Sequence, residues 1–256
     1  MESLEKLWKA NAEILKNIER SVTSHCSGQE KFPVKDDWEK IVVAGFFVAL
    51  NKFRAIQYLM NPGNSQNFFM ESASLARNLW EIWLTLAWLN HDDPNEKRNR
   101  IVQFKNDSMI DQDKLIQAWN DLNPGEESDS DQWVQDEVLE IKRQFPKEHW
   151  NMPRKDKMME DVTKRDQRYK NSLSLYYKIV YRDLSHYVHF TSRTIEEIDL
   201  WPNEKEMIVY SHLGLGINCL EVSCGFFIFI TEIWNSIFKI IPDQKFEEWY
   251  KDWLRI

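Results

Sequence analysis

Glycine and proline are scarce: 7 and 8 residues in a chain of 256, about half the usual share. So few turn formers exclude a sandwich, a barrel or any fold assembled from many short strands. Cysteine is rarer still, and the three residues present (Cys26, Cys219 and Cys224) are an odd number. Cys219 and Cys224 lie five apart in an apolar stretch with no second Cys/His pair to complete a zinc site, which marks them as core fillers. The opening Met-Glu-Ser-Leu-Glu-Lys has neither a basic n-region nor an apolar h-region, so a cytoplasmic chain with reduced thiols is expected. Two apolar segments could be mistaken for membrane spans. Residues 41–51 are too few to cross about 30 Å of hydrocarbon, and residues 213–231 carry Glu221 in their middle. Both read as core helices, and no membrane partner is expected.

What is present points one way. Hydrophobic residues make up 43% and charged residues 29%, a balance that excludes wholesale disorder. Twelve tryptophans supply material for a heavy core. The formal charge of -8 argues against whole-surface attraction to nucleic acid and leaves room for local basic patches. Apolar positions recur at helical spacing along nearly the whole chain. Leu4, Leu7, Trp8, Leu15, Ile18 and Val22 mark a first amphipathic helix. A second starts after the N-cap candidates Asp36 and Asp37 and stops at Asn61-Pro62-Gly63. Residues 65–90 are apolar on most faces, the signature of an interior helix. Asp92-Asp93-Pro94 caps a charged helix reaching Leu122. An acidic loop over 123–131 follows, then short helices near 131–145 and 156–166, a helix over 168–190, a long apolar helix over 203–241 and a terminal helix from Pro242-Asp243. The expected fold is all-α: one domain over 1–256, a bundle of seven to nine helices. Its core helices lie at about 36–90 and 168–241, with a peripheral insertion at about 121–167.

Ionisable residues set into apolar helices are the informative exceptions, because a buried charge is costly unless paired. Arg77 and Glu81 lie four apart on one face among Trp80, Trp83 and Leu84. They suit an internal ion pair, or a brace that orients a catalytic histidine. Tyr181-Arg182-Asp183-Leu184-Ser185-His186-Tyr187-Val188-His189 is richer. Seven residues make almost two helical turns, so Arg182 and His189 share a face about 10.5 Å apart along the axis, with His186 between them. A guanidinium and an imidazole on one stripe can hold a phosphodiester and move its protons without a metal or other cofactor. The same stripe also suits a polar seam that seals the bundle, or a dimer contact. Asp183, His186 and His189, with Glu71, Glu81 or Glu221 from facing helices, form a rival metal-ligand set, although no core helix carries the Glu-x-x-His unit of dinuclear bundles. Arg154, Lys155, Lys164, Arg165 and Arg168 give a local positive excess that can guide a phosphate backbone, with Phe145, Trp150 and Tyr169 nearby to stack bases.

Arg77-Asn78-Leu79-Trp80-Glu81 resembles the Arg-x-x-x-Glu helix of a largely bacterial family catalogued as domain of unknown function 5677. Residues 181–189 resemble that family's second hallmark, Tyr-Arg-x-Leu-Ser-x-x-x-His, and the likeness spans roughly residues 40–235. More loosely, Arg182-Asp183 followed by His189 resembles the motif of the HEPN superfamily of helical bundles. Many HEPN proteins are metal-independent RNases of toxin–antitoxin and phage-defence systems, and they commonly pair two motifs across a homodimer. That resemblance implies RNA as substrate, Arg182 and His189 as catalytic residues, and a HEPN-like core. Asp183, Ser185 and His186 would assist, Arg77, Glu81 and Glu221 would stand behind them, and no cofactor is needed. The alternatives are a non-catalytic interaction or ligand-sensing protein that regulates a partner encoded nearby, with Trp249, Tyr250, Trp253 and Leu254 as its interface, and a metal-dependent bundle enzyme.

Overall fold

The computed structural model describes residues 2–27, 33–63, 69–123, 129–166 and 205–254. Among these residues there is no strand, and eight α-helices account for most of the chain: α1 (Glu2–Cys26), α2 (Asp37–Leu59), α3 (Phe69–Leu89), α4 (Pro94–Leu122), α5 (Asp129–Gln144), α6 (Lys155–Arg165), α7 (Lys205–Phe238) and α8 (Asp243–Leu254). The all-α expectation holds. Two compact units are present, one formed by residues 1–87 with 162–256, the other by residues 88–161.

In the first unit α7 is the centre, packed against α2, α1 and α8. Its contacts are aromatic. Phe46 of α2 stacks on Trp234 with ring centroids 4.5 Å apart, Phe53 stacks on Phe227 at 4.5 Å, and Trp83 of α3 meets Phe226 at 5.4 Å. Fully burying each such ring contributes roughly 2–3 kcal/mol, and offset stacking adds to it. Helices α3 and α7 approach closely at Gly216, where a Cβ would lie 3.0 Å from Phe69 Cε1 and 3.1 Å from Met60 Cε. Helix α2 begins as its sequence dictates: the Asp36 carboxylate accepts from the Glu39 backbone N–H at 2.8 Å, and the Glu39 carboxylate accepts from Lys35 N–H at 2.7 Å.

The inner face of α1 differs from the expected one. Leu4, Leu7, Ile18 and Val22 are buried, but Trp8 and Leu15 are only half-buried, and Ile14 and Asn11 complete the stripe. Asn11 is enclosed because its Nδ2 donates to the Leu220 carbonyl at 2.9 Å, which satisfies a polar group that burial alone would penalise. The terminal helix departs too. Trp249 is buried, and the Tyr250 hydroxyl donates to Glu232 Oε2 at 2.8 Å. These two residues of the expected interface are therefore part of the first unit's own packing.

The second unit is a helical hairpin of α4 and α5 closed by a 3₁₀ turn at Lys147–His149. Asp93 caps α4, accepting from Asn95 N–H at 2.8 Å, with Pro94 in the first turn. Val134 and Val138 of α5 are buried with Ile110 of α4. The 3₁₀ turn is tied down by amides of α4: Gln103 donates to the carbonyls of Glu148 and Asn151, and Asn106 to that of His149. Arg100 is 7% exposed and its guanidinium donates to Glu96, to the Trp88 carbonyl at 2.8 Å and to Asp161 at 2.7 Å, while lying 5.0 Å over the Trp88 ring. Burial works against its charge, but the bonds to Asp161 and Glu96 outweigh it and raise the guanidinium pKa.

Candidate functional site

Helix α3 is buried along the line of Ala73, Ala76, Leu79, Trp80, Trp83 and Leu84. Arg77 and Glu81 flank that line, half-buried, with Arg77 Nε donating to Glu81 Oε1 at 3.2 Å. The spacing that suggested an ion pair on one face therefore produces one. Its side chains retain 17% and 31% exposure, so neither group bears the full penalty of an enclosed charge. Glu221 lies in α7 between the buried Leu220 and Val222, and its half-desolvated setting raises the carboxyl pKa above the ordinary value. Glu71 is exposed at the start of α3.

Arg182, Asp183, Ser185, His186 and His189 lie outside the described residues, as do Arg168 and Tyr169. The remaining basic residues separate into two kinds. Arg154 and Lys164 are exposed, with Arg154 3.4 Å from Asp156. Lys155 and Arg165 are half-buried, and Arg165 Nη2 donates to the Ala87 carbonyl at 3.1 Å. That bond places a cation at the C-terminal end of α3, where free carbonyls attract it. Trp150, a stacking candidate, uses its indole N–H on the Phe145 carbonyl at 2.9 Å, which ties those two aromatics to the fold of their own segment.

Among the described residues no group of three His, Cys, Asp or Glu side chains stands close enough to share a metal ion. Cys219 and Cys224 are buried free thiols; burial pushes Cys219 up to about 12 and Cys224 higher still, so neither is a nucleophile at neutral pH. Cys26, also free, has its pKa raised by partial burial. A surface cleft of about 680 Å³ is lined by Arg20, Ser24, His25 and Lys239 near the C-terminal ends of α1 and α7. Lys239 directly follows the last turn of α7, where the helix dipole draws positive charge.

The model of a family of unknown function (DUF5677) matches residues 39–207, two-thirds of the sequence. The chain belongs to that family. No curated protein and no solved structure matches it. The DUF5677 span takes in both polar motifs, Arg77-x-x-x-Glu81 and Arg182 to His189, and ends inside α7 short of Glu221. The DUF5677 description assigns no activity.

Proposed function

We propose that this DUF5677 protein is a metal-independent endoribonuclease with a HEPN-like core, of toxin or phage-defence type. The observation that carries the reading is the Arg182-Asp183…His189 pattern within the same family span as the half-buried Arg77–Glu81 pair. His189 takes the proton of a ribose 2′-hydroxyl, and that oxygen attacks the adjacent phosphorus. The bond from phosphorus to the 5′-oxygen breaks, and the leaving oxygen receives a proton from an imidazolium. The products are a 2′,3′-cyclic phosphate and a 5′-hydroxyl. Arg182 offsets the charge that develops on the non-bridging oxygens. Asp183, Ser185 and His186 orient these groups, Arg77, Glu81 and Glu221 support them, and Arg154 and Lys164 guide the backbone with Lys155, Arg165 and Arg168.

Charge distribution supports the reading despite the acidic total. Residues 106–140 hold eleven Asp and Glu against Lys114 alone, a net of -10, so the rest of the chain is about +2 at pH 7. The protein is taken to act in the cytoplasm as a homodimer, with two Arg/His motifs forming one cleft. Incubating single-stranded RNA with the purified chain in EDTA tests this. Wild type should release cyclic-phosphate ends, and Arg182→Ala and His189→Ala should each lose about 10²–10⁴-fold in rate. Equal cleavage by all three, or none from a well-folded wild type, overturns it.

A further inference from the structure

Helix α4 has two faces of opposite kind. Asn106, Ile110 and Asp113 are buried, and at 100° per residue they define the face turned into the hairpin. Leu115, Trp119 and Leu122 fall on the reverse side and are 72%, 58% and 80% exposed. Spacings of four and three place them on a single stripe along the last two turns. Trp133 on α5 is also exposed, at 55%. Scattered surface apolar residues need no explanation, but three large ones aligned opposite the buried face make a second apolar surface.

The electrostatic setting selects what can cover it. Over residues 106–140 the acids outnumber the bases eleven to one. The single cation there, Lys114, is already engaged by Asp111 at 2.8 Å. A nucleic acid or an anionic lipid surface has the wrong sign, and a second copy of this hairpin would bring like charges together. An occupant with apolar residues at helical spacing and flanking Lys or Arg satisfies both the stripe and the field.

We infer that the outer face of α4, at Leu115, Trp119 and Leu122, is a docking site for a basic amphipathic segment of a partner protein. The inference is independent of the ribonuclease reading. A fluorescein-labelled helical peptide of alternating lysine and leucine blocks, and its glutamate-for-lysine counterpart, serve as probes against the full-length chain by anisotropy. The lysine peptide should bind, weaken on going from about 50 to 300 mM salt, and lose at least about tenfold in affinity with Leu115→Ser/Trp119→Ser/Leu122→Ser. These positions are exposed, so that variant keeps its fold and its charge, and Asp121→Lys/Glu137→Lys should weaken binding while leaving the stripe intact. The glutamate peptide should not bind. Equal affinity of wild type and the triple serine variant, no binding by wild type, or a wild-type oligomer that the serine variant dissociates would each overturn the assignment.

Discussion

Asn235 shows how much one polar side chain can decide. It is 2% exposed near the end of α7, its Oδ1 accepts from the Ile240 and Ile241 N–H groups, and its Nδ2 donates to the Ile241 carbonyl at 2.8 Å. The chain turns there through Lys239, whose φ of 52° lies in the left-handed region. Asn235→Leu strands three backbone groups and should cost about 3 kcal/mol, read as a lowered urea midpoint. Gln57 is the counter-example: it is buried and its side-chain amide has no hydrogen-bond partner among the described residues, while its backbone carbonyl accepts from the Trp8 indole N–H at 2.8 Å. Glu221 adds a pH dependence. Its folded pKa is raised, so between the ordinary carboxylate value and that raised value the native state binds more protons than the unfolded one. Stability therefore falls as pH rises through that window. Glu221→Gln should flatten that part of the stability–pH curve in urea titrations; an unchanged slope would show that other groups produce it.

At the scale of elements, α4 is anchored in its first half, stays buried on one face as far as Ile110 and Asp113, and leaves the other face of its last turns uncovered. Arg100 is the anchor of that first half. Arg100→Ala removes the guanidinium that bonds Asp161, Glu96 and the Trp88 carbonyl and should cost about 3 kcal/mol. The low end of the range applies because the Asp161 side chain keeps 33% exposure. Amide hydrogen exchange should quicken over 94–122 and 129–144 more than in α7. The α1 stripe belongs to the same scale. Periodicity located the helix, while Asn11 entered its buried face in place of Trp8 because the Leu220 carbonyl offered it a partner.

For the molecule as a whole, the two compact units differ in how they are built. Residues 1–87 and 162–256 are joined by ring stacking around α7, whereas residues 88–161 rely on a guanidinium hub, amide-to-carbonyl bonds and a small Val/Ile core. Arg100→Ala should therefore turn a single urea transition into two, with the ellipticity of the hairpin lost first; a single shifted transition would mean the units unfold together. The distribution of charge is also a whole-molecule property, invisible in the total of -8. The net of -10 over 106–140 lies on the segment that bears the exposed stripe of α4.

Much of the architecture was legible because it rests on local signals. Scarce glycine and proline excluded strand-rich folds, Asp36 and Asp93 marked helix starts that carry real caps, and four-residue spacing put Arg77 and Glu81 in contact. Those effects act within one or two helical turns, so order along the chain is enough to read them. Which apolar residues end up inside is another matter. Trp249 and Trp119 are alike in sequence terms, each within the last two turns of a charged helix, yet one is 5% exposed and the other 58%. Only the arrangement of helices in space determines which receives a neighbour, because burial depends on surfaces brought together from distant parts of the chain.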